Sequence, residues 1–328
     1  RGGDWSSDVC SSDLNGVYLL IVDGSSSGWF LTLAGNAFAQ IGVAQNFYGA
    51  NRVDLVDGFF VLNRPNSNQW YISGFLSNTF DPLDFAAKTG FSDQMIAVGV
   101  AKRQVFLLGT QTTECWYNSG GTDFTFSRMP GVFIHFGCAA PSSVCQMDGS
   151  LYWLASSPQG DCMVMRTEGY ERARMSTFAI EKEFQGYPTV SDASAYTYQQ
   201  EGHMFYVINF PTANKTWALD VATKEWHERS WLDSNGHENR QRQCCHALFN
   251  GWNIVGDWQN GNLYKMDQNV YNDNGAPIRR LRSFPHLVND GSRVMYSTLV
   301  ADMEAGNGTV IDGAPPELRL DRKSTRLN

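Results

Sequence analysis

Residues 104–121 read QVFLLGTQTTECWYNSGG: an apolar run from Val105 to Leu108, a break at Gly109, and a second run through Thr113, Cys115, Trp116 and Tyr117. Such a segment is either the strand pair of a unique site or one copy of a repeated unit, and internal periodicity decides between the two. The unit recurs. Two-residue turn candidates, each followed by an apolar strand, stand at Asn15-Gly16 (VYLLIV), Asp57-Gly58 (FFVLN), Lys102-Arg103 (QVFLLG), Asp148-Gly149 (SLYWLA), Glu201-Gly202 (HMFYVIN) and Asn250-Gly251 (WNIVGDW). Successive second turn residues lie 42, 45, 46, 53 and 49 positions apart. Five of the six turns carry glycine there, and Asn-Gly and Asp-Gly are strong hairpin signals because a type I′ turn needs positive φ at both central residues.

Ahead of the turns stand VDLV, MIAVGVA, SVCQM, AYTYQQ and CCHALF, and beyond the strands come NQWYISG, TTECWYN, CMVMRTEG, KTWALDV and GNLYKMD. Each unit therefore holds at least three short antiparallel strands. A period of roughly 40–50 residues filled with hairpins is the signature of a propeller blade, whose faces are buried only against its neighbours. The sequence predicts an all-β chain folded as an irregular β-propeller of about six four-stranded blades; a two-sheet sandwich has no reason to repeat one strand order six times. Segments 35–54, 75–93, 168–188 and 232–243 break the spacing and are expected as rim insertions. Within the second, FDPLDFAAKTG (80–90) predicts a two-turn helix, with Asp81 as its cap, Pro82 at its first position and Gly90 as its stop.

The two ends read differently from the rest. DWSSDVCSSDL (4–14) and DRKSTRLN (321–328) can be back-translated into complementary stretches of a sequencing-library adapter, and processing or cloning segments do not belong in fold reasoning. Residues 1–14 and 321–328 are accordingly expected to be adapter-derived and to pack against nothing. The propeller is expected over 15–275, followed by C-terminal strands over 276–320 that are cut short.

A chain of 328 residues with 42% hydrophobic content can bury a large core. No apolar run approaches the ~20 residues that span a bilayer. The net charge of −8, with no Lys/Arg stripe, argues against tight nucleic-acid binding, whose affinity comes mostly from neutralised phosphates. Outside the adapter-like ends the cysteines are Cys115, Cys138, Cys145, Cys162, Cys244 and Cys245, read as reduced thiols of a cytosolic product.

Candidate chemistry is sparse. Vicinal Cys244-Cys245 before His246 could ligate a soft metal, but neighbours on a regular strand point to opposite faces, and a packed strand is the better reading. NDNG (272–275) resembles part of a calcium loop without its ligand spacing or closing Glu, and reads as a hairpin turn. Glu114, Glu168, Asp220, Glu225 and Asp257 could be enlisted as the carboxylates of a glycoside-cleaving propeller, yet they fall at different places in their units. No GxSxG elbow and no Gly-Lys-Ser/Thr phosphate loop occur. Trp70, Trp116, Trp153, Trp217, Trp226, Trp252 and Trp258 recur at matching positions, which makes them blade core before sugar platform. No catalytic, cofactor-binding or metal residue is assigned.

Three long stretches carry a resemblance: DPLDFAAKTGFSDQMIAVGVAKRQVFLLGTQTTECWYNSG (81–120), CAAPSSVCQMDGSLYWLASSPQG (138–160) and AYTYQQEGHMFYVINFPTANKTWALDVATKEWHERS (195–230). They resemble the tail hub, or nozzle, protein of short-tailed double-stranded DNA phages, also called the packaged-DNA stabilisation protein. The resemblance implies a non-enzymatic virion component made in the host cytoplasm, with about six copies forming a ring at the distal end of portal and tail adaptor. It implies retention of pressurised DNA and surfaces for the tail needle and for tailspikes or fibres, with no cofactor and no membrane anchor. The alternative expectation is a carbohydrate-binding or glycoside-cleaving propeller.

Overall fold

The computed structural model describes residues 11–281 apart from 92, 159–161, 271 and 279, together with 297, 298 and 300. Six antiparallel blade sheets follow in chain order. Blade 1 comprises β1 (Ser11–Leu14), β2 (Tyr18–Val22), β3 (Gly28–Thr32) and β4 (Ala37–Ile41); blade 2 comprises β5 (Val53–Val56), β6 (Phe59–Asn63), β7 (Gln69–Ile72) and β8 (Phe85–Ala87). Blade 3 comprises β9 (Met95–Ala101), β10 (Gln104–Gly109), β11 (Thr113–Asn118) and β12 (Phe126–Ile134). In blade 4, β13 (Gly137–Cys138) and β14 (Cys145–Met147) both pair with β15 (Ser150–Ser156), followed by β16 (Met163–Glu168) and β17 (Glu171–Arg174). A helix, α1 (Phe178–Gln185), leads to blade 5: β18 (Ser194–Gln200), β19 (His203–Phe210), β20 (Lys215–Asp220) and β21 (Glu225–Glu228).

The described residues then separate into two compact units, one from 11–230 and 240–265 and the other from 231–239 and 266 onward. The hairpin of β22 (Ser230–Leu232) and β23 (Glu238–Arg240) falls largely in the second. Blade 6, in the first, shows three strands among the described residues: β24 (Gln243–Phe249), β25 (Trp252–Asp257) and β26 (Leu263–Lys265). The second unit also holds the hairpin of β27 (Asn272–Asp273) and β28 (Ala276–Pro277). The C-terminal strands expected over 276–320 lie mostly outside the described residues.

Alternation within the central strands builds the core. On β15, Leu151, Trp153 and Ala155 pack with Phe106, Leu108 and Cys115 of blade 3, while Tyr152 and Leu154 pack with Tyr206, Ile208 and Phe210 of blade 5. On β10, Val105 and Leu107 face Val61, Trp70 and Ile72 of blade 2, and Phe106 and Leu108 face blade 4. A strand covered on both sides needs apolar residues at every position, which is why VFLL and LYWLA read as continuous runs. The innermost strands β1, β5, β9, β14, β18 and β24 neighbour one another in that order. On blade 6, Leu248, Phe249, Trp252 and Leu263 are exposed.

Side chains tie the innermost strands together. Ser11 Oγ contacts the Val53 main chain at 3.3 Å, Asp54 Oδ2 accepts from Val100 N at 2.7 Å, and Thr197 Oγ1 donates to Gln146 O at 3.1 Å. Cys145 Sγ donates to Ala195 O at 3.2 Å, and Asn253 Nδ2 of blade 6 donates to Gln199 O at 2.9 Å. Each link satisfies a main-chain group that the blade's own ladder leaves unpaired.

Five of the predicted two-residue turns have positive φ at both central residues, from Asp57 (49°) and Gly58 (86°) to Asn250 (48°) and Gly251 (77°). Lys102 (49°) and Arg103 (61°) adopt it without glycine. The first site differs: only Gly16 has positive φ, and Asn15 Oδ1 accepts from the amides of Val17 and Tyr18, making an Asx turn.

Three expectations are corrected. No helix forms over 80–90: Asp81 Oδ1 accepts from Leu83 N at 2.9 Å in a tight turn, and Phe85–Ala87 pairs with Gln69–Tyr71 as the outer strand of blade 2. The main chain at the open edge of β7 outcompetes a helix too short to be stable alone. Of the supposed insertions, 35–54, 75–93 and 168–188 each contain the outermost strand of a blade, namely β4, β8 and β17. Those strands are partly exposed and carry no clean apolar alternation. Finally, Ser11–Leu14 does not pack against nothing; it pairs with Leu19–Val22. Main-chain pairing needs no particular side chain, so the inner edge of β2 accepts this segment. Residues 1–10 and 321–328 lie outside the described residues.

The opening stretch is anchored by a buried ion pair. Lys88 is fully buried and its Nζ donates to Asp93 and, at 2.6 Å, to Thr112 Oγ1. Asp93 also accepts from the amides of Gln111 and Thr112. Burial raises the Asp93 carboxyl, but the bond from Lys88 and these amides bring it below its ordinary value. A Cβ at Gly109 would lie within 2.2 Å of Asp93 Oδ2, so the break in QVFLLG is a close approach that only glycine permits.

Three outcomes follow from this packing. Lys88→Met, which strands Asp93, is expected to cost about 3–5 kcal/mol in urea unfolding. Lys102→Asn, better suited to the left-handed region and leaving the Arg103–Asp57 contact in place, is expected to add roughly 0.5–1 kcal/mol. Burial pushes the Asp54 carboxyl up to about 7, against the lowering effect of Arg52. In the unfolded chain it ionises near its ordinary value of 3.8. The fold therefore binds the extra proton between these values, and Asp54 lowers stability progressively as pH rises from about 4 to 7. Asp54→Asn is expected to flatten that part of the urea-midpoint profile, and an unchanged slope would contradict the assignment.

Candidate functional site

In an up-and-down blade, the connections between strands 2 and 3 and those from one blade to the next emerge at the same end. Asp23 lies between β2 and β3, Asn51 before β5, Ser142 before β14, Asp192 before β18, Thr212 between β19 and β20, Arg240 before β24 and Trp258 after β25. These residues line one cavity of about 590 Å³. Blades 1, 2, 4, 5 and 6 thus converge on an axial mouth.

Its walls carry charged and polar side chains beside prolines and a tryptophan, and two of the charged ones are incompletely paired. Arg240 is only 6% exposed and its guanidinium lies 4.0 Å over the Trp258 ring. Burial lowers the Arg240 pKa, with the charge of Asp192 among the effects acting the other way. Trp258 is held by its indole N–H, which donates to Gln241 O at 3.0 Å. Asp192 Oδ2 accepts from Thr212 N at 2.8 Å, whereas its Oδ1 is buried without a hydrogen-bond partner among the described residues. A second arginine acts near the axis: the charge of Arg52 bears on Asp54 of blade 2, Cys145 of blade 4 and Tyr206 of blade 5.

None of the five carboxylates enlisted from the sequence lines this mouth. Glu114 is fully buried, accepting from Gly90 N at 2.6 Å and from the Trp116 indole at 3.2 Å. Asp220 meets His203 Nδ1 at 2.7 Å and the Ala222 amide at 2.9 Å. Asp257 holds Arg242 Nε and the Gln259 amide, both at 2.7 Å. Glu168 and Glu225 are exposed, the former beside Arg166. Each serves its own turn or blade, and no acid–base pair is assembled from them.

Cys244 departs from the regular strand assumed for it. The β24–β25 register shifts between Gln243 and Cys245, so Cys244 sits in a bulge and the alternation that would oppose the two thiols is broken. Cys244 Sγ donates to Gly256 O at 3.4 Å, and His246 Nε2 pairs with Asn253 Oδ1 at 2.9 Å. Among the described residues, no group of three His, Cys, Asp or Glu side chains is arranged to hold a metal. NDNG forms the predicted hairpin turn, with Asn274 at φ 50° and Gly275 at 82°.

Of the tryptophans, Trp70, Trp116 and Trp153 are blade core as expected, Trp252 is 48% exposed, and Trp258 belongs to the mouth. The sequence reading missed Arg240, Asp192 and α1. The helix had a signal: Ile180 and Phe184, four apart, form its buried face, with Phe184 4.7 Å from the Phe210 ring. Arg240 and Asp192 had only a positional one, since both fall in blade-to-blade connections.

Comparison with known proteins adds a family. No curated protein matches the chain. Among solved structures, similarity extends to the N-terminal domain of Nup159 (10% identity, 77% of this chain and 73% of that one, TM-score 0.46). It extends also to streptogramin B lyase (10% identity, 80% and 83%, TM-score 0.48) and to dihydro-heme d1 dehydrogenase NirN (10% identity, 82% and 54%, TM-score 0.49). Likenesses this distant carry no argument about activity. The model of the Phage_stabilise family, described as Bacteriophage P22 Gp10, beta-propeller, matches residues 10–271, and the chain belongs to that family of structural phage proteins.

Proposed function

We propose that this protein is a tail hub that forms a ring of about six copies below the portal and tail adaptor, where it retains packaged DNA. The observation that carries this reading is the family match over residues 10–271, which makes the chain a DNA-stabilising structural protein of a phage tail. The physical properties agree with it. A repeat-built body with a packed core between each adjacent pair of blades 1 to 5 suits a ring that must withstand the pressure of packaged DNA. A net charge of −8 keeps DNA phosphates from sticking, so that the genome slides out at ejection.

In this reading the outer rim meets the needle and the tailspikes or fibres, the protein is made in the host cytoplasm, and it ends in the virion tail. The role needs no catalysis, in keeping with membership of a family of structural phage proteins. No described helix is long and apolar enough to cross a membrane.

The test is packaging in portal-bearing capsids that lack the protein. Adding the full-length chain is expected to restore a DNase-resistant genome. Capsids that hold their DNA equally well without it would refute the retention role.

A further inference from the structure

Two charged groups at the axial mouth are only partly used by the fold. Arg240 is almost fully buried, covered on one side by the Trp258 ring at 4.0 Å, and forms no ion pair among the described residues. Asp192 spends one oxygen on Thr212 N and keeps Oδ1 buried without a partner. Buried ionic groups are ordinarily paired or hydrogen-bonded. Two of opposite sign, left over in one cavity of about 590 Å³, call for a ligand that carries both an anionic group and hydrogen-bond donors.

We propose that the axial mouth binds an acidic sugar unit of the hexuronate class, its carboxylate paired with Arg240 and its hydroxyls donating to Asp192 Oδ1. The chemistry excludes simpler ligands by what each would leave unsatisfied. A neutral sugar leaves the desolvated Arg240 uncompensated, and a bare carboxylate leaves Asp192 Oδ1 without a donor. Asp23, a second carboxylate of the lining, gives the ring hydroxyls a further acceptor. Connections from five blades close the cavity on several sides, which suits a compact polyol better than an extended peptide. Asn51 and Ser142 supply further amide and hydroxyl groups for the ring hydroxyls. This site is independent of DNA retention, and either reading stands if the other fails.

Titration calorimetry of the full chain with D-glucuronate tests the proposal, with D-glucose, acetate and L-glutamate as comparators. Glucuronate is expected to bind at least tenfold more tightly than each comparator. Arg240→Met is expected to weaken it tenfold or more. Asp192→Asn, which keeps an acceptor for Thr212 N and so tests the site without disturbing the loop, is expected to weaken it several-fold. Circular dichroism melts confirm that each variant is folded, and if Arg240→Met does not fold, Asp192→Asn decides alone. Equal binding of glucose or glutamate, no binding of glucuronate, or unchanged affinity in folded Asp192→Asn would each overturn the proposal.

Discussion

Everything in the blades depends on central strands that are buried on both faces. A single sheet cannot stay in water with two apolar faces, so each blade must be sandwiched by neighbours, and a chain of such blades closes on itself or leaves a bare face. β10 and β15 meet this constraint with alternate residues: odd positions pack against one neighbour and even positions against the next. Trp70 and Trp153 are the largest fully buried side chains in these interfaces.

The second constraint lies at the axis, where innermost strands approach without forming a common sheet. Their unpaired main-chain groups are met by short polar side chains: Ser11 toward Val53, Asp54 toward Val100, Thr197 toward Gln146. The sequence separations of these contacts are 42, 46 and 51, the spacing of the blades themselves. Apolar interfaces set which blades are neighbours, and these hydrogen bonds set the height at which they meet.

What was legible in the sequence follows from this division. The hairpin turns and central strands were readable because backbone conformation and two-sided burial restrict residue choice there, as at Asp57-Gly58 and in LYWLA. The outer strands β4, β8 and β17 were read as insertions because half-exposed edges tolerate almost any residue. Phe85–Ala87 was read as helix on the strength of local cap residues, and tertiary pairing overrode them. Asn15-Gly16 carries the signal of a two-residue turn, and the Asx turn of Asn15 takes its place. The mouth was the least legible feature: each of five blades contributes one or a few loop residues, so Arg240, Trp258 and Asp192 stand in no common motif and meet only after the blades are arranged.

The account joins a repeat-built body to a place in the phage tail. Electron cryomicroscopy of the tail of the phage that encodes this chain tests that union directly. The account predicts a ring of copies beneath the portal and adaptor, each a propeller in which Trp70 and Trp153 lie between adjacent blades. A tail that lacks the chain, or contains it in another fold, would contradict it.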